Sequence, residues 1–306
     1  MDKQQFIKNL SVPVGVVDAV IDTDTYNEVD DQFALAYLIK STEKINLKAI
    51  YAAPFLNNNS ESPADGMHKS YDEIIKILDL MKEEKYKSIV FRGSENFLKD
   101  EEKYEGSDAV EDLVKRARQY SPAKPLYVIA IGAITNIASA LIMAPDIAEN
   151  IVVVWLGGHD IDGHEAEEFN MMSDLVGARV LFKSKAPLIQ LPCMGVVSGF
   201  NISEMDLRYW FFGKNDLCDY LANIVIKDQN AHSKGKPWTR IIWDVTAVAW
   251  ILNTDDRFMN TVIKPCKIPG YDKKSSVMPD SKLIGYVNFI KRDALMEDLI
   301  NKLTTQ

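Results

Sequence analysis

Apolar residues recur along the chain in two alternating rhythms. Short, β-branched runs occur at Val14–Asp22, Leu47–Ala53, Ser88–Arg92, Leu126–Ile131, Ile151–Leu156 and Pro187–Leu191. Runs that are apolar at every position suit strands covered on both faces. Between them the apolar spacing lengthens to the helical period, at Asp30–Lys40, Met67–Lys82, Asp108–Gln119, Ile134–Met143 and Asp174–Lys183. Strand and helix in turn imply parallel pairing through right-handed crossovers. The pattern therefore predicts an α/β fold: an open, mostly parallel, doubly wound (Rossmann-like) sheet with helices on both faces. From Ser203 to Leu252 the pattern is mainly helical, and the tail offers a strand at Leu283–Ile290 and a helix at Asp293–Leu303. No repeat, low-complexity tract or composed linker interrupts it, so residues 1–306 read as one domain.

The first strand runs straight into an acidic cluster, Asp22-Thr-Asp24, followed by Thr-Tyr-Asn-Glu-Val and then Asp30-Asp31 at the start of a helix. Carboxyl ends of strands are where open α/β sheets bind ligands. Asp22 and Asp24 share one face of an extended segment, because side chains alternate along a strand. Crowded carboxylates repel unless a cation joins them, and an all-oxygen donor set selects Ca²⁺ or Mg²⁺. A plainer account makes Asp30 or Asp31 a helix N-cap and Asp22 a turn residue, which explains only part of the cluster. Two further polar loops follow strands on the same rim, Pro54–Gly66 and Gly157–Asn170.

Composition narrows the classes of partner. A net charge of −9 argues against a nucleic-acid polymer, which requires clustered Lys and Arg. Cys193, Cys218 and Cys266 are isolated and lack zinc spacing, as expected in a reducing compartment. No apolar run is long enough to span a bilayer, and the N-terminus lacks the apolar segment of a signal peptide. A cytoplasmic protein with no membrane partner is the expectation.

Two families share features of the acidic opening. Asp22-Thr-Asp-Thr25 fits the short DxDx[TV] motif of haloacid-dehalogenase-like phosphatases, in which Asp22 would accept a phosphoryl group in a Mg²⁺-dependent reaction; the second acidic pair would fall at Thr254-Asp-Asp256. A longer resemblance covers most of the chain. Asp22-Thr-Asp24 with Asp30-Asp31-Gln-Phe-Ala-Leu35 resembles the DxDPGxDDAxAL opening of the inosine-uridine-preferring nucleoside hydrolases. Ile131-Gly-Ala-Ile-Thr-Asn-Ile-Ala138 resembles that family's TGxLTNIA block, Val154-Trp-Leu-Gly-Gly158 with Glu168-Phe-Asn170 its MGG…EFN block, and Trp243-Asp244-Val-Thr-Ala-Val-Ala249 its HDPxAVA block.

The resemblance implies Ca²⁺-dependent hydrolysis of the N-glycosidic bond of a ribonucleoside. Metal ligands would be Asp24, Asp31, Asp244 and the Ile131 carbonyl, with Asp24 also the catalytic base; Asp244 could otherwise be a simple helix cap. Substrate contacts would come from Asp30 on the ribose 2′-hydroxyl, Asn57 (with Asn58 close behind), Glu168, Asn170, Asp162 near the 5′ end and Trp243 against the base. A non-catalytic nucleoside- or ribose-binding relative is the other reading, and family members are commonly homodimers or homotetramers.

Two departures from the family pattern stand out. Trp243 occupies the place where many purine-active members have a leaving-group His, and indole cannot deliver a proton as imidazole does. His159 and His164 lie in the loop before Glu168 and are the substitutes at hand. The segment Thr25–Val29 is two residues longer than usual, which bulges the loop and brings Asn27 or Glu28 towards the pocket. Among the later aromatic residues, Trp243 and Trp238 are the candidates for stacking on a base.

Overall fold

A computed structural model of the chain describes residues 1–160, 167–277 and 281–305. Six parallel strands, β1 (Val17–Thr23), β2 (Ile45–Ala52), β3 (Val90–Arg92), β4 (Leu126–Ala130), β5 (Ile151–Leu156) and β6 (Leu188–Leu191), form most of an eight-stranded sheet. Its order is β3-β2-β1-β4-β5-β6, followed by Leu283–Ile290 and then Met259–Pro265. Leu283–Ile290 pairs parallel with β6, whereas the outermost strand Met259–Pro265 is antiparallel. The doubly wound, mostly parallel architecture is the one the alternating pattern predicts.

Side-chain alternation distributes the apolar residues between two layers. Ala19 and Ile21 of β1, Ile129 of β4 and Val154 of β5 face a layer containing Phe33, Ile74 and Trp250. Val20, Val128 and Val153 face the other, with Val110, Ile137 and Phe182. In β2 the alternation changes phase: Ile45 and Leu47 share a layer with Ile50 and Ala52. The cause is a bulge, since Ala19 pairs with Leu47 and Val20 with Ala49, leaving Lys48 as the extra residue. The helix Asp31–Ile39 is buried at all nine positions, as its nearly unbroken apolar sequence requires.

Boundaries shift for local reasons. The helix expected from Met67 begins at Pro63, with the Ser62 hydroxyl accepting from the Asp65 N–H at 3.1 Å and proline in the first turn. Gly66, which reads as a loop residue, lies inside this helix at a point where a Cβ would come 2.1 Å from the Phe55 carbonyl oxygen, so the close approach requires glycine. A 3₁₀ turn at Glu84–Ile89 shortens the expected strand Ser88–Arg92 to β3. The mainly helical stretch also contains a short antiparallel pair, Asn201–Ser203 with Thr239–Ile241.

The sheet order positions the site. Successive strands run outward from β1 through β2 to β3, then the chain returns to place β4 on the other side of β1. Crevices form where the order reverses in this way. Ile131 N–H donates to the Asp22 carbonyl at 2.9 Å and Ala53 N–H to that of Thr23 at 2.8 Å, so the ends of β1, β2 and β4 are level. Asp24 and Ile131 leave the sheet side by side. Among the described residues no helix is long and apolar enough to cross a membrane.

Candidate active site

A pocket at this rim is lined by Asp24, Asn27, Glu28, Asp30, Asp31, Ile131, His159, Glu168, Asn170, Trp243 and Asp244, among others. Asp30, Asp31 and Asp244 are all buried, and each offers a carboxylate oxygen within 4.8 Å of the others. Neither Asp30 nor Asp244, each at the cap position of its helix, makes a side-chain capping bond. The plainer account as caps therefore fails for both.

The four pocket aspartates differ in how their charge is met. Asp31 Oδ1 accepts the Thr23 hydroxyl at 2.5 Å, at the positive end of the Asp31–Ile39 helix. Asp30 Oδ2 accepts the Trp243 N–H at 2.8 Å, and Arg240 Nη2 stands 3.9 Å from Oδ1. Arg240 also forms an ion pair with Glu28, tying the long Thr25–Val29 loop to the strand Thr239–Ile241. Asp24 is 1% exposed and neither of its oxygens has a hydrogen-bond partner among the described residues. Burial first, then the charges of Asp31 and Glu28, hold its carboxyl well above the usual range. Burial and neighbouring aspartates do the same to Asp244. The Asp31 carboxyl is pushed up to about 7, by burial and then by Asp30. Several acids so placed cannot all ionise at neutral pH without added positive charge. A divalent cation with oxygen ligands fits this donor set.

Other predicted residues take more specific places. Asp22 is fully buried below the pocket, with Oδ1 accepting from Asn136 Nδ2 at 2.7 Å. It does not line the pocket, which removes the access a phosphoryl acceptor needs. Glu168 lines the pocket while accepting N–H bonds from Gly158 (2.8 Å), Asn170 (2.9 Å) and Met171 (2.9 Å). Asn170 Nδ2 donates to the Ile131 carbonyl at 3.2 Å and the Leu156 carbonyl at 3.1 Å, holding the ends of β4 and β5 together. Asn57 stands behind Asn27 and is not among the lining residues. Trp238 lines a separate surface groove with Met205 and Ser203. Asp162 and His164 lie outside the described residues.

A family model described as inosine-uridine preferring nucleoside hydrolase matches residues 19–278. The chain belongs to that family. Its fold is shared with solved structures of low sequence identity. A plant nucleoside hydrolase superposes with a TM-score of 0.72 at 16% identity, covering 96% of this chain and 100% of that one. The purine-preferring ribonucleoside hydrolase from Gardnerella vaginalis gives 0.71 at 18%, covering 94% and 98%. A type III effector protein, XopQ, complexed with adenosine diphosphate ribose, gives 0.69 at 14%, covering 99% of each chain. No curated protein matches the chain.

Three features of this nucleoside hydrolase could not be assigned by motif alone. Arg240 is 212 residues from Glu28, and only the fold joins them. Cys193 and Met194, to which no motif assigns a role, line the same pocket as Phe169 and Trp243. Gly132 sits against Asp24: a Cβ there would lie 2.9 Å from the Asp24 Cγ. Gly132→Ala is therefore expected to displace the Asp24 carboxylate and reduce kcat/KM by roughly 10²-fold, the scale of a small misplacement at a reacting centre. Steady-state kinetics alongside a melting curve would check this; unchanged kcat/KM would show that the contact is easily relieved.

Proposed function

We propose that the protein hydrolyses the N-glycosidic bond of ribonucleosides, releasing ribose and free base, with Ca²⁺ as cofactor. The observation that carries this reading is the cluster of Asp30, Asp31 and Asp244 with buried Asp24 next to it, whose oxygens accept no bond from an N–H or hydroxyl among the described residues. Asp24, Asp31, Asp244 and the Ile131 carbonyl would hold the cation. Asp30 has one oxygen bonded by the Trp243 N–H and the other without a hydrogen-bond partner among the described residues, and that second oxygen would hold the sugar. When bound, the cation supplies positive charge for the acids and makes a water molecule more acidic.

Asp24 then accepts a proton from the attacking water, whose oxygen bonds to the anomeric carbon. The glycosidic C–N bond breaks with its electron pair leaving on the base, through a transition state resembling an oxocarbenium ion. The surrounding carboxylates favour that developing positive charge.

Among the described residues, the one histidine that lines the pocket is not free to protonate the leaving base. His159 Nδ1 accepts the Met194 N–H at 3.3 Å, which leaves Nε2 to donate to the Glu167 carbonyl at 3.0 Å. Both nitrogens are thus engaged by backbone, and Trp243 stands at the family's His position. We therefore expect p-nitrophenyl β-D-ribofuranoside, whose leaving group needs no proton, to be cleaved with a kcat/KM at least about 10²-fold above inosine, the scale of one missing general acid. Assays of both substrates with CaCl₂ and with EDTA test the proposal. Equal rates would reveal a general acid elsewhere, and no release of sugar from either would leave a binding protein.

A further inference from the structure

We propose that Asn27, in the Thr25–Val29 loop, contacts a ribose hydroxyl directly, and that Asn57 is the positioning residue behind it. The inference rests on the nucleoside reading of the site. Asn27 lines the pocket at 6% exposure. Its neighbours fix which way its amide points. The backbone N–H of Asn59 donates to Asn57 Oδ1 at 2.8 Å, and an N–H can only donate. Asn57 Nδ2 is therefore a donor, and it gives bonds to Asn27 Oδ1 at 2.6 Å and to the Asn27 carbonyl at 3.1 Å. Asn59 Nδ2 donates to the same carbonyl at 3.0 Å. With Oδ1 engaged by Asn57, the NH₂ is the amide group of this pocket-lining residue that has no hydrogen-bond partner among the described residues.

Donors are scarce in this pocket. Asn170 spends its NH₂ on the carbonyls of Ile131 and Leu156, while Asp24, Glu28, Asp30, Asp31 and Asp244 offer acceptors. A sugar hydroxyl that gives its proton to one of these carboxylates presents lone pairs that need a donor. Asn27 is placed to supply it, because its own N–H bonds the Asp24 carbonyl at 2.7 Å and so holds it beside the acids. In this arrangement the sugar contact comes from the loop after β1, with Asn57 of the segment after β2 standing behind it.

The test compares inosine with 2′-deoxyinosine and 3′-deoxyinosine, by kcat/KM and by calorimetric affinity in CaCl₂. Asn27→Ala should cost about ten-fold on inosine, the scale of one hydrogen bond, and under about two-fold on the analogue lacking the contacted hydroxyl. Asn27→Asp, which keeps shape but reverses the donor, should cost at least as much as Asn27→Ala. Asn57→Ala should reproduce the same selectivity pattern more weakly and add nothing to Asn27→Ala in the double variant. Uniform losses on all three ligands, or additive losses with the selectivity change confined to Asn57→Ala, would overturn the assignment. Should wild type bind inosine without hydrolysing it, the catalytic reading fails while the affinities still decide this one; absence of binding would overturn both.

Discussion

Asp24→Asn is expected to lower kcat/KM for nucleoside hydrolysis by about 10³-fold or more, while leaving the metal-free protein as stable as wild type or more stable. The two halves have one cause. As proposed base and ligand, the Asp24 carboxylate is asked to take a proton from water, a contribution typically worth 10²–10⁴-fold. Without a cation, the same carboxylate is an unpartnered acid buried among like charges. Replacing it by an amide removes a charge whose burial is costly and brings an NH₂ that can donate to neighbouring aspartates. Kinetics on p-nitrophenyl β-D-ribofuranoside with scanning calorimetry in EDTA would test both. An active variant would sink the proposed site, and a large fall in melting temperature without metal would show that Asp24 is a structural residue.

What the sequence revealed follows from how local each feature is. The strand-then-helix rhythm is set by near neighbours, so the mostly parallel, doubly wound sheet and the rim position of Asp24 and Asp31 could be anticipated from it, whereas Asp244 came only through the family resemblance. Edges and bulges are less visible. In Met259–Pro265 only Met259 is buried and the other residues are half-buried or exposed, as an outer strand can be, and Lys48 becomes a bulge only through its pairing with β1. In the site, acid density marked the cluster, but the division of labour depends on partners far away in sequence. Asp30 is engaged by Trp243 and Arg240, more than 200 residues on, while Asp24 is left without a donor. The capping role of Glu168 and the seat of Asn57 behind Asn27 likewise depend on loop conformation that no motif records.

In EDTA, the protein is expected to lose stability as pH rises from about 4 to 7, and added Ca²⁺ should recover more of it at the upper end. The sign follows from the acids whose carboxyls are raised. Burial pushes Asp22 to about 7, and burial with Asp30 pushes Asp31 to about 7, from an ordinary 3.8. Below 3.8 both groups are protonated in the folded and unfolded chains, and neither contributes a penalty. Between 3.8 and about 7 the unfolded chain has released protons that the folded chain still binds, so stability falls with pH. Each such group contributes a slope of at most about 1.4 kcal/mol per pH unit, and the coupled members of the cluster do not simply add. The surface pairs Asp65–Lys69 and Asp146–Arg118 act in the opposite sense, because their carboxyls are lowered; their contribution is lost only below about pH 4, outside this window. Asp22 lies below the pocket and keeps its penalty with or without the ion. Ca²⁺ held by Asp24, Asp31 and Asp244, as proposed, would therefore flatten the part of the slope that belongs to them. Melting curves at pH 5 and pH 7.5, with EDTA and with CaCl₂, should show a Ca²⁺-induced rise in melting temperature that is larger at pH 7.5. A rise of equal size at both values would place the ion away from these acids.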